Sequence, residues 1–291
     1  MSAATTDTVN APEKKLRRVR MTTSAWIAVS ILAFWVLVSV FAPLIAPFGE
    51  GDMVSTQSFA YPEEASFLGT DYLGRDMVSR IAYGARMTLG LAAIATAISF
   101  SIGIGLGFVA AISRGWTDQI LSRLVDAIMA FPSIMLALII IGGVGTSLPV
   151  VILTVALIDI TRVFRVARAL ALDVMVMDFV EVAKVRGEGP IWIMLREILP
   201  NTAAPLMAEL GVRYTFAILF ISSLSFLGLG VQPPGADWGV MVKENLQGLL
   251  YGSPAALTPA FCIASVSIAV NILVDWYLQQ TSGNISEEIL Q

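Results

Sequence analysis

Long apolar segments alternate with shorter polar segments along the whole chain. Each apolar segment is roughly 18 to 27 residues long, and a helix rising about 1.5 Å per residue needs about 20 residues to cross a bilayer. The pattern therefore predicts an all-α polytopic membrane protein with six transmembrane helices. The apolar segments cover residues 26–46, 87–112, about 125–142, 148–168, about 203–229 and about 256–278.

The composition supports a membrane protein and excludes several kinds of chemistry. Hydrophobic residues make up 56% of the chain and charged residues 14%, with a mean hydropathy of +0.78, which is too apolar for a soluble domain. The chain has no His and one Cys, Cys262, so it cannot form His or Cys metal sites, a Ser-His-Asp triad or a Cys-His pair. We therefore expect no catalytic, metal-binding or cofactor-binding residue, and we expect Cys262 to be a packing residue.

The distribution of positive charge predicts the orientation in the membrane. Of the 18 Lys and Arg residues, five lie near the N-terminus, two between the second and third apolar segments and six between Arg162 and Arg196. Cytosolic loops carry an excess of positive charge. Both termini are therefore expected in the cytosol, with residues 47–86 and 231–255 outside.

These features divide the chain into four parts. We predict a cytosolic tail at 1–25, the first transmembrane helix with an external segment at 26–86, a core of five transmembrane helices at 87–280, and a cytosolic tail at 281–291. Within the external segment, apolar residues from Met77 onward recur on one helical face with Arg80 opposite, which is typical of a helix on a membrane surface. Residues 113–126 are expected to form a charged hinge.

The longest polar stretch inside the core is the central loop, residues 173–201. Its first half predicts a short helix that ends at Gly187, and its second half predicts an amphipathic turn from Ile191 that stops at Pro200. Two short helices around a glycine suit docking into a groove of another protein. The expected apolar contacts of the first helix are Phe179, Val180, Ala183 and Val185, and its polar residues are Asp178, Glu181, Lys184 and Arg186.

Several polar side chains fall inside the predicted spans, where a charge costs at least ~2.5–3.5 kcal/mol. Glu209 and Arg213 are spaced to pair along one helix. Asp159 needs a hydrogen-bond donor or a wet cavity, and its expected partner is Asn271 or a residue of another subunit. The candidate residues for a translocation path are Asp159, Ser222, Ser225 and Asn271, although serines in spans also bond their own preceding turn.

The central loop resembles the coupling loop of type I ABC importer permeases. Their pattern is Glu-Ala-Ala, three residues, Gly, nine residues, Ile-x-Leu-Pro, and this chain departs from it at Val182 and Glu197. The alternative is an ordinary cytosolic loop, because short motifs match by accident. The matching residues are Glu181, Ala183, Gly187, Leu199 and Pro200.

Two further segments resemble the second permease subunit of dipeptide, oligopeptide and nickel importers. They are LGTDYLGRDMVSR, at residues 68–80, and LSFLGLGVQPPGADWG, at residues 224–239. The first has the glycine spacing of a phosphate loop, but Arg75 and Asp76 stand where Lys and Ser or Thr would bind nucleotide. It is therefore not an ATP site.

The resemblance implies the type I ABC importer permease fold and a non-catalytic subunit of an ATP-driven, binding-protein-dependent importer in the bacterial cytoplasmic membrane. The implied partners are a second permease, an external substrate-binding protein and two ATP-binding subunits, which would hold the ATP and Mg. Short peptides are the expected substrates, with nickel complexes, glutathione, opines or oligosaccharides as alternatives. A self-contained secondary transporter is the distant alternative, but we find no internal repeat. The residues implied in ATPase coupling are Glu181, Ala183, Lys184, Arg186, Gly187, Leu199 and Pro200.

Overall fold

The computed structural model describes residues 21–62, 66–113 and 115–289, with side chains as far as residue 281. The basic run between Lys14 and Arg20, and the side chains of most of the predicted C-terminal tail, lie outside these residues. Helices dominate the described residues, where pairing between extended segments is limited to isolated bridges such as Met53 with Arg75. The helices are α1 (Thr23–Val40), α2 (Ala42–Ile45), α3 (Met77–Ser113), α4 (Gly115–Met129), α5 (Ser133–Val144), α6 (Leu148–Met175), α7 (Asp178–Val185), α8 (Pro190–Ile193), α9 (Leu199–Phe226), α10 (Trp238–Glu244) and α11 (Leu257–Ile289).

The membrane-spanning helices confirm the predicted all-α polytopic class. Four helical stretches of the described chain are long and apolar enough to cross a bilayer: α1, α3, the stretch Pro190–Phe226 and the stretch Pro254–Thr281. The pair α4 and α5 passes the same test when the two helices are taken together, with a bend of 87° between them. The predicted fourth span corresponds to α6, which is 28 residues long but carries charged side chains, among them Asp159, Arg162 and Arg165.

Two predicted boundaries are wrong. The predicted surface helix is not separate from the second span, because α3 is one helix of 37 residues, about 55 Å long at 1.5 Å per residue. The predicted hinge at 113–126 is also largely helical and forms most of α4, and the break falls later, at Phe131 and Pro132. A proline there removes a backbone donor and restricts the residue before it, so the helix ends.

Small residues let the long helices approach closely. A Cβ atom placed on Gly103 of α3 would lie 2.7 Å from the side chain of Val163 in α6. One placed on Gly107 would lie 2.9 Å from the Cβ of Ala167. Such contacts are the usual basis of helix association in lipid, and they fix α3 against α6.

The polar segments at residues 47–76 and 231–255 pack together over one end of the bundle, and we call them the cap. Trp238 at the start of α10 is fully buried, donates its indole N–H to the carbonyl of Ile81 at 3.1 Å, and meets Trp35 edge-on at 4.9 Å. Asp237 caps α10 by accepting from the N–H groups of Gly239 and Val240. The cap is therefore attached to both α1 and α3. Cys262 is buried in the main core, which confirms its predicted packing role.

Candidate functional site

Helix α7 of the central loop is anchored by two of its apolar residues. Val180 and Ala183 are fully buried, and Val180 belongs to an apolar cluster formed by the adjoining ends of α3, α6 and α9. A helix of 8 residues is too short to be stable alone, so this packing holds it in place. The cluster includes Phe108, Ala111, Ala167, Ala171, Val174, Met175, Ile193, Ile198 and Leu206.

The opposite face of α7 is a mixed apolar and charged surface. Phe179 and Val185 were predicted to make apolar contacts, but both are exposed, and Val185 is 84% exposed. Val182, where the sequence departs from the family pattern, is also exposed. The prediction failed because only Val180 and Ala183 share the side of α7 that faces the bundle. Glu181, Lys184 and Arg186 are exposed beside these apolar side chains.

The predicted break at Gly187 is confirmed. Its φ angle is +85°, in the region that glycine adopts readily and other residues rarely do. The N–H of Gly187 donates to the carbonyl of Lys184 at 2.9 Å, and that of Glu188 donates to the carbonyl of Ala183 at 3.1 Å. These two bonds form the Schellman motif, which ends a helix at a left-handed residue.

The second half of the central loop is continuous with the next span. Pro190 begins α8, and a π-helical turn, Met194–Ile198, leads directly into α9. The predicted stop at Pro200 is therefore wrong: Pro200 and Leu199 lie in the first turn of α9, where a proline is tolerated. Because α6 also ends just before α7 begins, the central loop is attached closely to two long helices.

Four charged side chains inside the predicted spans lie close together, and we call them the membrane ion cluster: Asp159, Arg162, Glu209 and Arg213. The predicted pair is present, with Arg213 Nε 2.8 Å from Glu209 Oε1. Asp159 is buried, and its Oδ1 lies 3.3 Å from Arg213 Nη1. The prediction that Asn271 pairs with Asp159 is wrong, because the Asn271 side chain is exposed and donates to the carbonyl of Ser267 on its own helix. The cluster thus joins α6 to α9.

The other candidate path residues do not gather around Asp159. Ser222 and Ser225 are buried near the far end of α9, and Ser222 is nine residues beyond Arg213, about 13 Å along the helix. A Cβ atom on Gly239 would lie 2.3 Å from the carbonyl oxygen of Ser222, so this serine packs under the cap.

A buried ion cluster in the cap was not predicted from the sequence. Asp71 Oδ2 lies 2.6 Å from Arg75 Nε and 3.3 Å from Arg80 Nε, and Glu244 Oε2 lies 3.0 Å from a guanidinium nitrogen of each arginine. Arg80 was placed on the polar face of a surface helix but is 1% exposed. The hydroxyl of Tyr72 adjoins Glu244, and burial together with that carboxylate raises the pKa of Tyr72. The cap ion cluster thus joins residues 47–76 to α10.

Known proteins match most of this sequence. Residues 103–282 match the sequence model of a family described as the binding-protein-dependent transport system inner membrane component. The chain is 30% identical over 262 residues to the dipeptide transport system permease protein DppC of Alkalihalophilus pseudofirmus, covering 90% of this chain and 85% of that protein.

Glutathione permeases match at a similar level. The glutathione transport system permease protein GsiD of Pectobacterium atrosepticum is 34% identical over 214 residues, covering 74% of this chain and 71% of that protein. GsiD of Escherichia coli O6:K15:H31 is 32% identical over 263 residues, covering 90% and 86%. The matched part of the chain includes the central loop, the membrane ion cluster and most of the cap.

Proposed function

Because the chain belongs to the family of binding-protein-dependent transport system inner membrane components, we propose that this ABC importer permease subunit moves short peptides and receives its driving force through α7. The observation that carries the coupling role is the surface of α7. Apolar and charged residues alternate on its exposed face, whereas Val180 and Ala183 on the opposite face are buried. Exposed apolar side chains rimmed by charge are typical of a protein interface.

The proposed partner at this surface is an ATP-binding subunit. Val182 and Val185 would enter an apolar groove, with Glu181 facing a basic residue and Lys184 and Arg186 facing acidic ones. Gly187, Leu199 and Pro200 would set the position of the second half of the loop. The complete importer would contain two ATP-binding subunits, a second permease and an external binding protein, with ATP and Mg held by the ATP-binding subunits alone.

The mechanical consequence follows from how α7 is attached. It lies between α6 and the α8–α9 stretch in the chain, it packs against α6, and its Val180 belongs to the apolar cluster that includes the ends of α3, α6 and α9. A displacement of α7 by closing ATP-binding subunits would therefore move these helices together, as a rigid-body transition rather than a local one. In this proposal the chain transmits motion and catalyses no reaction.

The proposed location is the cytoplasmic membrane of a bacterium, with both termini and the central loop in the cytosol and the cap outside. This orientation rests on the charge asymmetry between the loops, which remains when Arg162 is counted with the membrane ion cluster rather than with the cytosolic loop. We expect reporter fusions after Ser66 and after Gly187 to report opposite compartments, external and cytosolic respectively. Reporters of both kinds, active outside or active in the cytosol, should be used at each position, and agreement between the two positions would refute the orientation.

The proposed substrates are short peptides, because a relative that matches most of the chain is named for dipeptide transport. We expect cells that lack this subunit to lose uptake of labelled di- to pentapeptides. Glutathione, nickel, an opine and an oligosaccharide should be tested in parallel, and restoring the subunit on a plasmid is the control. Loss of glutathione, nickel, opine or sugar uptake with peptide uptake unchanged would contradict the peptide assignment.

A further inference from the structure

The broken span places a helix N-terminus inside the membrane. Helix α5 has 12 residues, so it is about 18 Å long and cannot cross the ~30 Å hydrocarbon layer alone. With α4 and α5 taken together as one span, the N-terminus of α5 at Ser133, next to the bend of 87°, lies within that layer. The preceding Pro132 provides no side-chain acceptor, so the N–H groups of the first turn form a positive end.

Arg162 of α6 lies at this break. Its Nη2 donates to Ser133 Oγ at 3.0 Å, and its guanidinium stands over the ring of Phe216 at 4.0 Å from the centroid. The bond to Ser133 is the one hydrogen bond that Arg162 makes within the described part of the chain, although a guanidinium carries five N–H donors. The side chain is 27% exposed, and because Ser133 accepts this bond, its own hydroxyl hydrogen remains available to donate.

The acidic side chains nearby leave Arg162 the less tightly paired of the two arginines. Asp159 Oδ1 is 3.3 Å from Arg213 Nη1 but 3.8 Å from Arg162 Nη1, which is too long for a hydrogen bond. Glu209 also pairs with Arg213. The cluster has two acidic side chains and two arginines, so its net charge is zero. An anion at Arg162 would therefore be held by nearby hydrogen-bond donors rather than by an excess of positive charge, and it would leave easily. Weak binding of this kind suits a transport path.

A cavity provides the room for such an anion. It has a volume of about 70 Å³, and Arg162, Ser133 and Thr161 are its polar lining residues, beside apolar side chains that include Phe131 and Leu136. One water needs roughly 10–15 Å³ measured in this way, so a carboxylate group fits together with ordered water. Broken helices of other membrane transporters direct their N-termini at anionic substrate groups in this manner.

We propose that Arg162, the hydroxyl of Ser133 and the first turn of α5 form a transient binding site for the terminal carboxylate of the transported peptide. This inference rests on the proposed function, because it takes a short peptide as the cargo. The site would orient the peptide in the membrane, whereas selection between peptides would remain with the external binding protein.

The first test is protection of Arg162 from phenylglyoxal, an arginine-specific reagent. The complete importer, purified without its binding protein, is treated in the presence of a tripeptide or the same tripeptide with a C-terminal amide. Modification is then measured by peptide mapping. We expect the free tripeptide to slow the modification of Arg162 several-fold and the amide to have little effect. Arg165, one turn away and paired with Asp126 on the surface, serves as the control in the same digest. Equal protection by both peptides, or by neither, would overturn the site.

The second test separates binding from structural support of the broken span. We expect Arg162→Gln to lower tripeptide uptake roughly tenfold, as for the loss of one charged hydrogen-bond donor. Arg162→Lys should retain part of it, and Arg165→Gln should behave as wild type. Equal losses in Arg162→Gln and Arg165→Gln would show that loosening of α4 from α6 is responsible and would overturn the proposal. Wild-type peptide uptake without protection of Arg162 refutes this site alone, whereas a wild-type importer that takes up no peptide refutes the proposed function as well.

Discussion

Replacing Gly187 with valine is expected to reduce substrate uptake by at least ~10-fold, because a barrier increase of about 1.4 kcal/mol is sufficient for this loss. Its φ angle of +85° costs a residue with a Cβ atom roughly 1–2 kcal/mol, and a β-branched residue more. The two bonds of the Schellman motif would be lost or α7 would be displaced. Uptake of labelled substrate and substrate-stimulated ATP hydrolysis should fall together, with the subunit present in the membrane at its normal level.

The origin of this loss can be tested with two other substitutions at the same position. A Cβ atom on Gly187 would meet no other described atom within 4 Å, so backbone conformation and not space is the constraint in this chain. Asparagine tolerates the left-handed region, so Gly187→Asn should retain most of the uptake. Gly187→Ala should lie between asparagine and valine. If Gly187→Val transports at the wild-type rate, or if the three variants are equally impaired, the helix end is not what positions α7.

The sequence predicted those features that depend on neighbours along the chain. Six apolar segments are recognisable by length alone. In the structure four of them are helices that are long and apolar enough to cross a membrane, a fifth is the bent pair α4 and α5, and the sixth is α6. Gly187 was found because a glycine after a short amphipathic run is a local signal for a helix end. Pro200 misled the prediction for the same reason: a proline ends one helix or begins another, and the local pattern does not distinguish the two.

The partners of buried charges could not be predicted in this way. Asp159 contacts Arg213 from a different helix, 54 residues away, whereas the sequence suggested Asn271 or a residue of another subunit. Arg80 looked like a polar surface residue because its partner Glu244 lies 164 positions away along the chain. Such pairs depend on how α3, α6, α9 and α10 are arranged, and no short window of sequence contains that information.

Replacing Asp71 with asparagine is the change we expect to destabilise the cap most. Asp71 is fully buried and accepts hydrogen bonds from the backbone N–H groups of Leu73 and Arg75 as well as facing two guanidinium groups. An amide would leave two buried arginines with one remaining carboxylate, that of Glu244. Removing one partner of a buried ion pair costs about 3–5 kcal/mol, so residues 47–76 should detach from α10.

The measurement is limited proteolysis of the purified complex together with its apparent Tm. In Asp71→Asn, new cleavage should fall between residues 47 and 76, and the Tm should drop by several degrees. Asp52→Asn is the matched control, because Asp52 belongs to the same segment but is exposed and accepts from the backbone N–H of Gly49. Exposed charged groups contribute about 0–1 kcal/mol, so this variant should resist protease like the wild type. If Asp71→Asn and Asp52→Asn give the same protease pattern, the cap is held by the packing of Trp238 rather than by its ion cluster.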